Sequence, residues 1–161
     1  MNRFGYTTLT VAAALAAAVW TAPARAADSD VSYEVVDGYT IREPLTDTPG
    51  DPVMGRKWAI NRKLGNCLSC HQMPIPEEQF HGETGPALYG VADVYDEGEL
   101  RLRIVDPKVL NPHSMMPSFY KVEGLNRVMK GFQDKPILSA QQVEDIVAYM
   151  MTLRDTSKKS Q

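Results

Sequence analysis

The chain of 161 residues has only two cysteines and three histidines, and it lacks most motifs that identify enzymes. It contains no Ser-His-Asp pattern, no phosphate-binding loop and no dinucleotide fingerprint. Runs of like charge are missing too, and the net charge is only −3. A mildly acidic chain of this kind is a poor match for a protein that binds nucleic acid or a membrane surface. We therefore expect no catalytic residue in this chain and no nucleic-acid partner.

Internal repeats are absent, and the only strongly apolar run lies near the N-terminus. The run LTVAAALAAAVW, from Leu9 to Trp20, follows Arg3 and precedes an A-x-A pattern. This order predicts a signal peptide over residues 1–26, cleaved near Ala26 or Ala27. The alternative is an uncleaved anchor, but the strongly apolar part is shorter than the roughly 20 residues that a spanning helix needs. The sequence thus predicts export without stable insertion into a membrane.

Asp51 followed by Pro52 is typical of a helix start, because Asp caps free N–H groups and Pro suits the first helical position. This helix is predicted to reach residue 64 and to end before Gly65. Gly55 favours the close approach of another helix. We expect the N- and C-terminal helices to cross near Gly55 and Tyr149.

Two further helices are predicted downstream. One covers residues 99–110 and is bent or interrupted at Pro107. The other begins at a capping-box pair, Ser139 and Gln142. Its apolar stripe has helical spacing and consists of Val143, Ile146, Val147 and Met150. No alternation of strands and helices appears, so a few helices around a cofactor fit better than a doubly wound sheet.

Both cysteines stand in Cys67-Leu68-Ser69-Cys70-His71, a C-x-x-C-H motif typical of covalent haem attachment. On one helical turn, residues three apart share a face, so two thiols can bond the two vinyl groups of one porphyrin. The next imidazole then faces the iron. The sequence predicts one haem c that is attached to Cys67 and Cys70, with His71 as an iron ligand.

Three other interpretations compete for this motif. A zinc site would need two more ligands, and only His81 and His113 remain. A thioredoxin-like redox pair would need a βαβ setting, which is missing. A disulfide would not require His71 next to it.

The second axial ligand is predicted in a loop bounded by prolines, since electron-transfer haems commonly pair His with Met. Met116 precedes Pro117, whose ring fixes the backbone beside the ligand. We therefore prefer Met116 over Met115, which remains the alternative. His113 is a weaker candidate, and His81 is interpreted as structural. Iron bound by His and Met has no open position, so its expected chemistry is one-electron transfer.

The segment Gly85-Pro86 resembles a second element of class I cytochromes c, in which the proline carbonyl accepts a hydrogen bond from the proximal histidine ring. Such a bond fixes the ring and raises its basicity as a ligand. The alternative is a simple turn.

Over most of the chain beyond the signal peptide, the sequence resembles the SoxX family, the monohaem cytochrome subunits of periplasmic SoxAX complexes of sulfur-oxidising bacteria. The haem motif is common to all c-type cytochromes, whereas other segments are more specific to this family. The specific segments are MPSFY at residues 116–120, GLNRV at 124–128, and PILSAQQVEDIVAY at 136–149.

The resemblance implies a function. SoxAX complexes oxidatively join thiosulfate to a cysteine of the SoxYZ carrier, as an L-cysteine S-thiosulfotransferase. The active haem belongs to the SoxA subunit, and the SoxX subunit passes electrons to a soluble cytochrome. The residues carried over are Cys67, Cys70, His71 and Met116. A periplasmic location and a heterodimer with SoxA follow from the same resemblance.

We therefore predict an all-α class I cytochrome c fold around one covalently bound haem, with an extended N-terminal arm. The predicted division is a signal peptide (1–26), an arm (27–50), a cytochrome c domain (51–157) and a polar tail (158–161). The arm is interpreted as lying outside the core, with a short strand permitted around Tyr33, and is expected to help hold the SoxA partner. The competing function is a freestanding electron carrier, or a cytochrome subunit of another dehydrogenase.

Overall fold

The computed structural model describes Met1 and residues 32–155, and this part of the chain is helical. Its α-helices are α1 (Pro52–Ile60), α2 (Glu97–Val105) and α3 (Ala140–Met150). Short 3₁₀ turns cover Cys67–Ser69, Val91–Asp93 and Lys130–Phe132. No strand occurs among the described residues, where Val36 and Thr40 form one isolated bridge. The all-α prediction is confirmed, but the short strand around Tyr33 is not present.

The predicted signal peptide, apart from Met1, and the polar tail lie outside the described residues, so both stay predictions. The proposed division into arm, domain and tail also stays a prediction. Among the helices that the structure does describe, none combines the length and the apolar character that crossing a bilayer demands.

Helix α1 begins as predicted but ends early. The carboxylate of Asp51 accepts hydrogen bonds from the N–H groups of Val53 and Met54, and Pro52 is the first helical residue. The helix stops at Ile60 rather than near residue 64, because Asn61 is extended. The Asn61 side chain accepts a hydrogen bond from the Lys63 N–H at 2.9 Å, a local turn that competes with the helix.

Helices α2 and α3 both begin with a capping box. The side chain of the N-cap residue accepts a hydrogen bond from the backbone N–H three residues later, and the side chain of that later residue accepts one from the N-cap N–H. The pair at Ser139 and Gln142 is the one predicted. Helix α2 starts at Glu97, before the predicted residue 99, and ends at Val105 instead of residue 110. The reason is Pro107, because a residue before proline avoids the helical conformation.

Helices α1 and α3 cross with their backbones in close contact. A Cβ atom on Gly55 would lie 1.8 Å from the carbonyl oxygen of Asp145, so only glycine fits there. The prediction was right about Gly55 but one helical turn off on the other helix, where it named Tyr149. The carboxylate of Asp145 also accepts bonds from the Asp51 N–H and the Trp58 indole, at 2.9 and 3.0 Å.

The segment before α1 contributes Ile41 to the core, although most of its described residues are exposed, so interpreting the whole segment as lying outside the core was wrong. Ile41 is only 1% exposed and is one of the most buried side chains. Its carbonyl accepts a bond from Arg101, which also forms a bidentate, buried ion pair with Glu144 at 2.7 and 2.8 Å. The Leu45 N–H donates to the same carboxylate at 3.0 Å. One charge pair thus joins this segment to α2 and α3.

Candidate haem site

The C-x-x-C-H motif folds into a single tight turn. The Cys67 carbonyl accepts hydrogen bonds from the N–H groups of Cys70 and His71, at 3.1 and 2.9 Å. The buried side chain of Leu68 anchors the turn in the core. Neither cysteine is in a disulfide, although they lie in one turn. This arrangement brings both thiols and the imidazole into one place, as the haem-attachment motif requires.

The segment after the motif returns along this turn and is bonded to it through the backbone. The N–H groups of three residues in the returning segment donate to carbonyls of the turn. The pairs are Gly82 with Leu68 at 2.7 Å, Gly85 with Cys70 at 2.7 Å, and Leu88 with Gln72 at 2.9 Å. Pro86 lies within this returning segment, which places its carbonyl beside the motif.

The ring of His71 is held by that proline. Its Nδ1 lies 2.7 Å from the Pro86 carbonyl oxygen, which can only accept, so Nδ1 donates. The remaining nitrogen, Nε2, then carries the lone pair that an iron would bind. The Gly85-Pro86 prediction is therefore confirmed. A Cβ on Gly85 would meet the ring at 2.4 Å, so the close approach depends on glycine.

The Cys67 thiol does not have the character of a reactive redox thiol. Burial raises the pKa of the Cys67 thiol to about 12, whereas reactive C-x-x-C pairs have a lowered pKa. The zinc interpretation is not supported either. Across the described ranges, no three or more side chains from His, Cys, Asp and Glu are grouped so that they could hold a metal ion.

The two candidate methionine ligands differ in burial. Met115 is 84% exposed, whereas Met116 is partly buried and packs against the hydrophobic core, as Cys67 does. His113 is exposed. This arrangement favours Met116 as the distal ligand, and its role stays a prediction.

The Met116 loop, residues 111–117, is held by contacts from the turn just after α2, which the sequence did not reveal. The Lys108 ammonium donates to the carbonyls of Ser114 and Met116, at 3.2 and 2.7 Å. Beyond the loop, the Ser118 hydroxyl donates to Asp106 at 2.9 Å. No local pattern marks these residues, because the contacts depend on how the loop folds back on α2.

Asp106 is a buried carboxylate that combines several of these contacts. Besides Ser118, it accepts a bond from the Lys121 ammonium at 2.7 Å. Burial alone would raise the pKa of Asp106, but the bonds from Lys121 and Ser118 outweigh that effect and hold the pKa below its usual value. The same carboxylate raises the pKa of Lys121. Asp106 is therefore a charged anchor at the end of α2.

His81 lies in a structural position, as interpreted from the sequence. Its Nδ1 accepts a hydrogen bond from the Met73 N–H at 3.2 Å, which places the proton on Nε2. That Nε2 is buried and has no hydrogen-bond partner within the described part of the chain. The Nδ1 atom of His81 is thus occupied by a hydrogen bond from the backbone.

The donor set fits a covalently attached haem. The described residues supply two unoxidised thiols in one turn, an imidazole with its Nδ1 fixed, and a partly buried methionine on the same core. Thioether bonds use both thiols, and the imidazole and methionine sulfur are the usual axial pair of electron-transfer haems.

Comparison with known proteins agrees with this site. The cytochrome c family model matches residues 55–154. The chain therefore belongs to the cytochrome c family, whose members bind haem c covalently. No curated protein sequence matches the chain.

A solved structure narrows the relationship. A chain of the crystal structure of SoxXA from P. pantotrophus is 37% identical to this chain, with a TM-score of 0.71. The alignment covers 76% of this chain and 95% of that one. The SoxX assignment made from the sequence is confirmed by these two findings together.

Proposed function

We propose that this chain is the electron-transfer haem subunit of a periplasmic SoxAX complex that oxidatively couples thiosulfate to a cysteine of the SoxYZ carrier. Similarity to a chain of SoxXA, over 95% of that chain, is the observation that carries the proposal. The predicted export signal is consistent with a periplasmic location. The complex would be an L-cysteine S-thiosulfotransferase with this chain as its non-catalytic subunit.

The residues of the site define what this chain contributes. Cys67 and Cys70 would hold the haem, while His71 and Met116 would ligate its iron. The haem supplies reversible one-electron transfer when bound. His71 is oriented by Pro86, and the distal loop carries Met116, so this chain would itself supply both ligands to the iron. The sequence has no third cysteine that could act on sulfur substrates. Bond-making therefore belongs to a partner.

The direction of electron flow follows from the chemistry of the coupling. Joining a thiosulfate sulfur to a cysteine sulfur releases two electrons, and a chain with one haem takes them one at a time. The SoxA cytochrome subunit donates these electrons, and a soluble cytochrome accepts them. The chain needs an exposed docking surface for each partner and no substrate pocket of its own.

The N-terminal arm was expected to help hold SoxA. Deleting residues 32–50 is a poor test, because Ile41 is part of the core and the deletion would destabilise the domain itself. Tyr39, which is 47% exposed, is a better target. We expect Tyr39→Ser to weaken complex formation in pull-down, and full retention of the partner would contradict a role for this part of the arm.

The test of the proposal is co-purification of the tagged holoprotein from its native periplasm, with partners identified by mass spectrometry. A pyridine haemochrome assay on the same sample measures haem per chain. We expect a stoichiometric second cytochrome, and haem reduction by thiosulfate only when the carrier is added. A carrier whose reactive cysteine is replaced by alanine is the matched control. A monomer that retains no partner and is reduced by unrelated donors would make this chain a freestanding electron shuttle.

A further inference from the structure

We propose that Lys108 is a positioning residue that holds Met116, rather than Met115, at the iron. This inference rests on the proposed role of Met116 as distal ligand. Lys108 lies in the turn just after α2, and its ammonium reaches across to the loop. Its two acceptors are the carbonyls of Ser114 and Met116, at 3.2 and 2.7 Å. They lie at the two ends of the Met115–Met116 pair.

The two acceptors hold the backbone of the segment that carries both methionines. The Cα atoms of Met115 and Met116 both lie between these carbonyls, so one ammonium holds the backbone of the pair in the conformation that leaves Met115 84% exposed. Met116 is directed toward the core, against which it packs. The Met116 N–H donates to the Ser114 hydroxyl at 3.2 Å, which closes the same small turn. Lys108 thus fixes the register of two adjacent methionines.

The Lys108 ammonium bonds the carbonyls of this loop and forms no ion pair among the described residues. The neighbouring carboxylate, Asp106, is bonded instead by Lys121 and Ser118. Hydrogen bonds from a charged donor are stronger than those between neutral groups, so two carbonyls on one ammonium hold a short loop firmly. Lys108 therefore differs from a surface lysine without fixed partners, because its ammonium bonds two particular carbonyls of the loop.

The experiment compares Lys108→Met with wild type in the ferric holoprotein. Imidazole is the probe, because it binds ferric iron only after the distal methionine leaves. We expect the apparent affinity for imidazole to rise roughly tenfold, since the loop loses hydrogen bonds from a charged donor. The visible charge-transfer band of methionine-ligated ferric haem should weaken in parallel. If Lys108→Met does not fold, Lys108→Gln, which keeps a shorter donor, should give a smaller rise of roughly threefold.

The control is Lys121→Met, which removes a lysine of the same region that bonds Asp106 and not the loop carbonyls. Asp106 keeps its bond from Ser118 in this variant, so we expect a lower free energy of unfolding and a rise in imidazole affinity of at most about twofold, well below that in Lys108→Met. An equal rise in Lys121→Met and Lys108→Met would overturn the proposal, because the effect would then be general destabilisation. Unchanged affinity in Lys108→Met would overturn it as well.

Met116→Leu separates this inference from the proposed ligand set. If Met116→Leu loses the charge-transfer band and Lys108→Met leaves imidazole affinity unchanged, only the role of Lys108 fails. If Met116→Leu keeps both the band and the wild-type imidazole affinity, Met116 is not the distal ligand and the proposed site itself fails.

Discussion

The two sides of the candidate haem site differ in how far they depend on charged side chains. On the His71 side, backbone bonds tie the motif to the returning segment, and a backbone carbonyl of Pro86 orients the ring. On the Met116 side, the Phe119 N–H donates to the Ile104 carbonyl of α2, and charged side chains add to this bond: Lys108 holds the loop, and Asp106 holds Ser118 just beyond it. Backbone bonds do not depend on protonation, whereas charged side chains do. We therefore expect the Met116 side to loosen first under acid or substitution.

The largest effect is expected from His71→Ala, which removes the ligand on the side held by the backbone. Losing an outer partner of a metal ligand typically costs roughly 10–100-fold in affinity or activity, and losing the ligand itself should cost more. Electron transfer and the low-spin haem spectrum should both be lost. His113→Ala is the matched control, because that side chain is exposed in the loop. Equal damage by the two substitutions would contradict the assignment of His71.

Glu144→Ala should weaken both sides together, because the buried pair with Arg101 supports α2, α3 and the segment around Ile41. Removing one partner of a buried pair costs about 3–5 kcal/mol. Chemical denaturation measures this loss of unfolding free energy. Arg42→Ala, which breaks an ion pair whose side chains are each 61% exposed, should cost at most about 1 kcal/mol. A small loss in Glu144→Ala would show that the two sides do not share this support.

Gly85→Ala should disturb the His71 side alone. The added Cβ would lie 2.4 Å from the ring of His71, so the ring or the segment carrying Pro86 must shift. Overpacking of this kind costs about 1–3 kcal/mol. A changed ligand field in the haem spectrum, with unchanged imidazole affinity on the other side, is the expected result. Gly131→Ala is the control, since nothing lies near its Cβ position. A spectrum unaffected by Gly85→Ala would contradict the close contact.

The smallest effect is expected from pH. Because the pKa of Asp106 is lowered by folding, its contribution to stability is present above the usual carboxyl pKa of about 3.9 and is lost as pH falls through the folded value. The methionine charge-transfer band should therefore fade in acid before the His71 ligation is lost. Asp106→Asn should weaken the band at neutral pH and flatten this acid dependence. Asp47→Asn, at an exposed carboxylate, should change neither.

The sequence predicted the parts of the molecule that depend on neighbours in the chain. The C-x-x-C-H turn, the capping box at Ser139 and the start of α1 are local patterns, and each formed where expected. The bond from His71 to Pro86 spans fifteen residues, yet a recognisable family element marked it. The prediction of this bond came from the resemblance to class I cytochromes c, and the spacing of residues in the sequence would not have given it.

Contacts between distant segments were the part that could not be predicted. Ile41 looked like part of an arm, because its partner Arg101 lies sixty residues away and carries a charge that usually marks the surface. Lys108 was included in the helix predicted over residues 99–110, and nothing in the sequence indicated its bonds to the loop. Burial of a charge depends on the groups around it after folding, and no local pattern records them. The early end of α1 at Ile60 depended on a side-chain turn at Asn61 that competes with the helix.

The proposed site requires that the chain itself supply both axial ligands of the haem iron. The most direct test of this requirement is carbon monoxide binding to the ferrous holoprotein at neutral pH. An iron with both axial positions filled by His71 and Met116 should bind the gas only slowly, at a rate set by departure of the methionine. The reduced spectrum should therefore change little on mixing. Rapid, stoichiometric binding would show an open coordination position and would contradict a chain devoted to electron transfer alone.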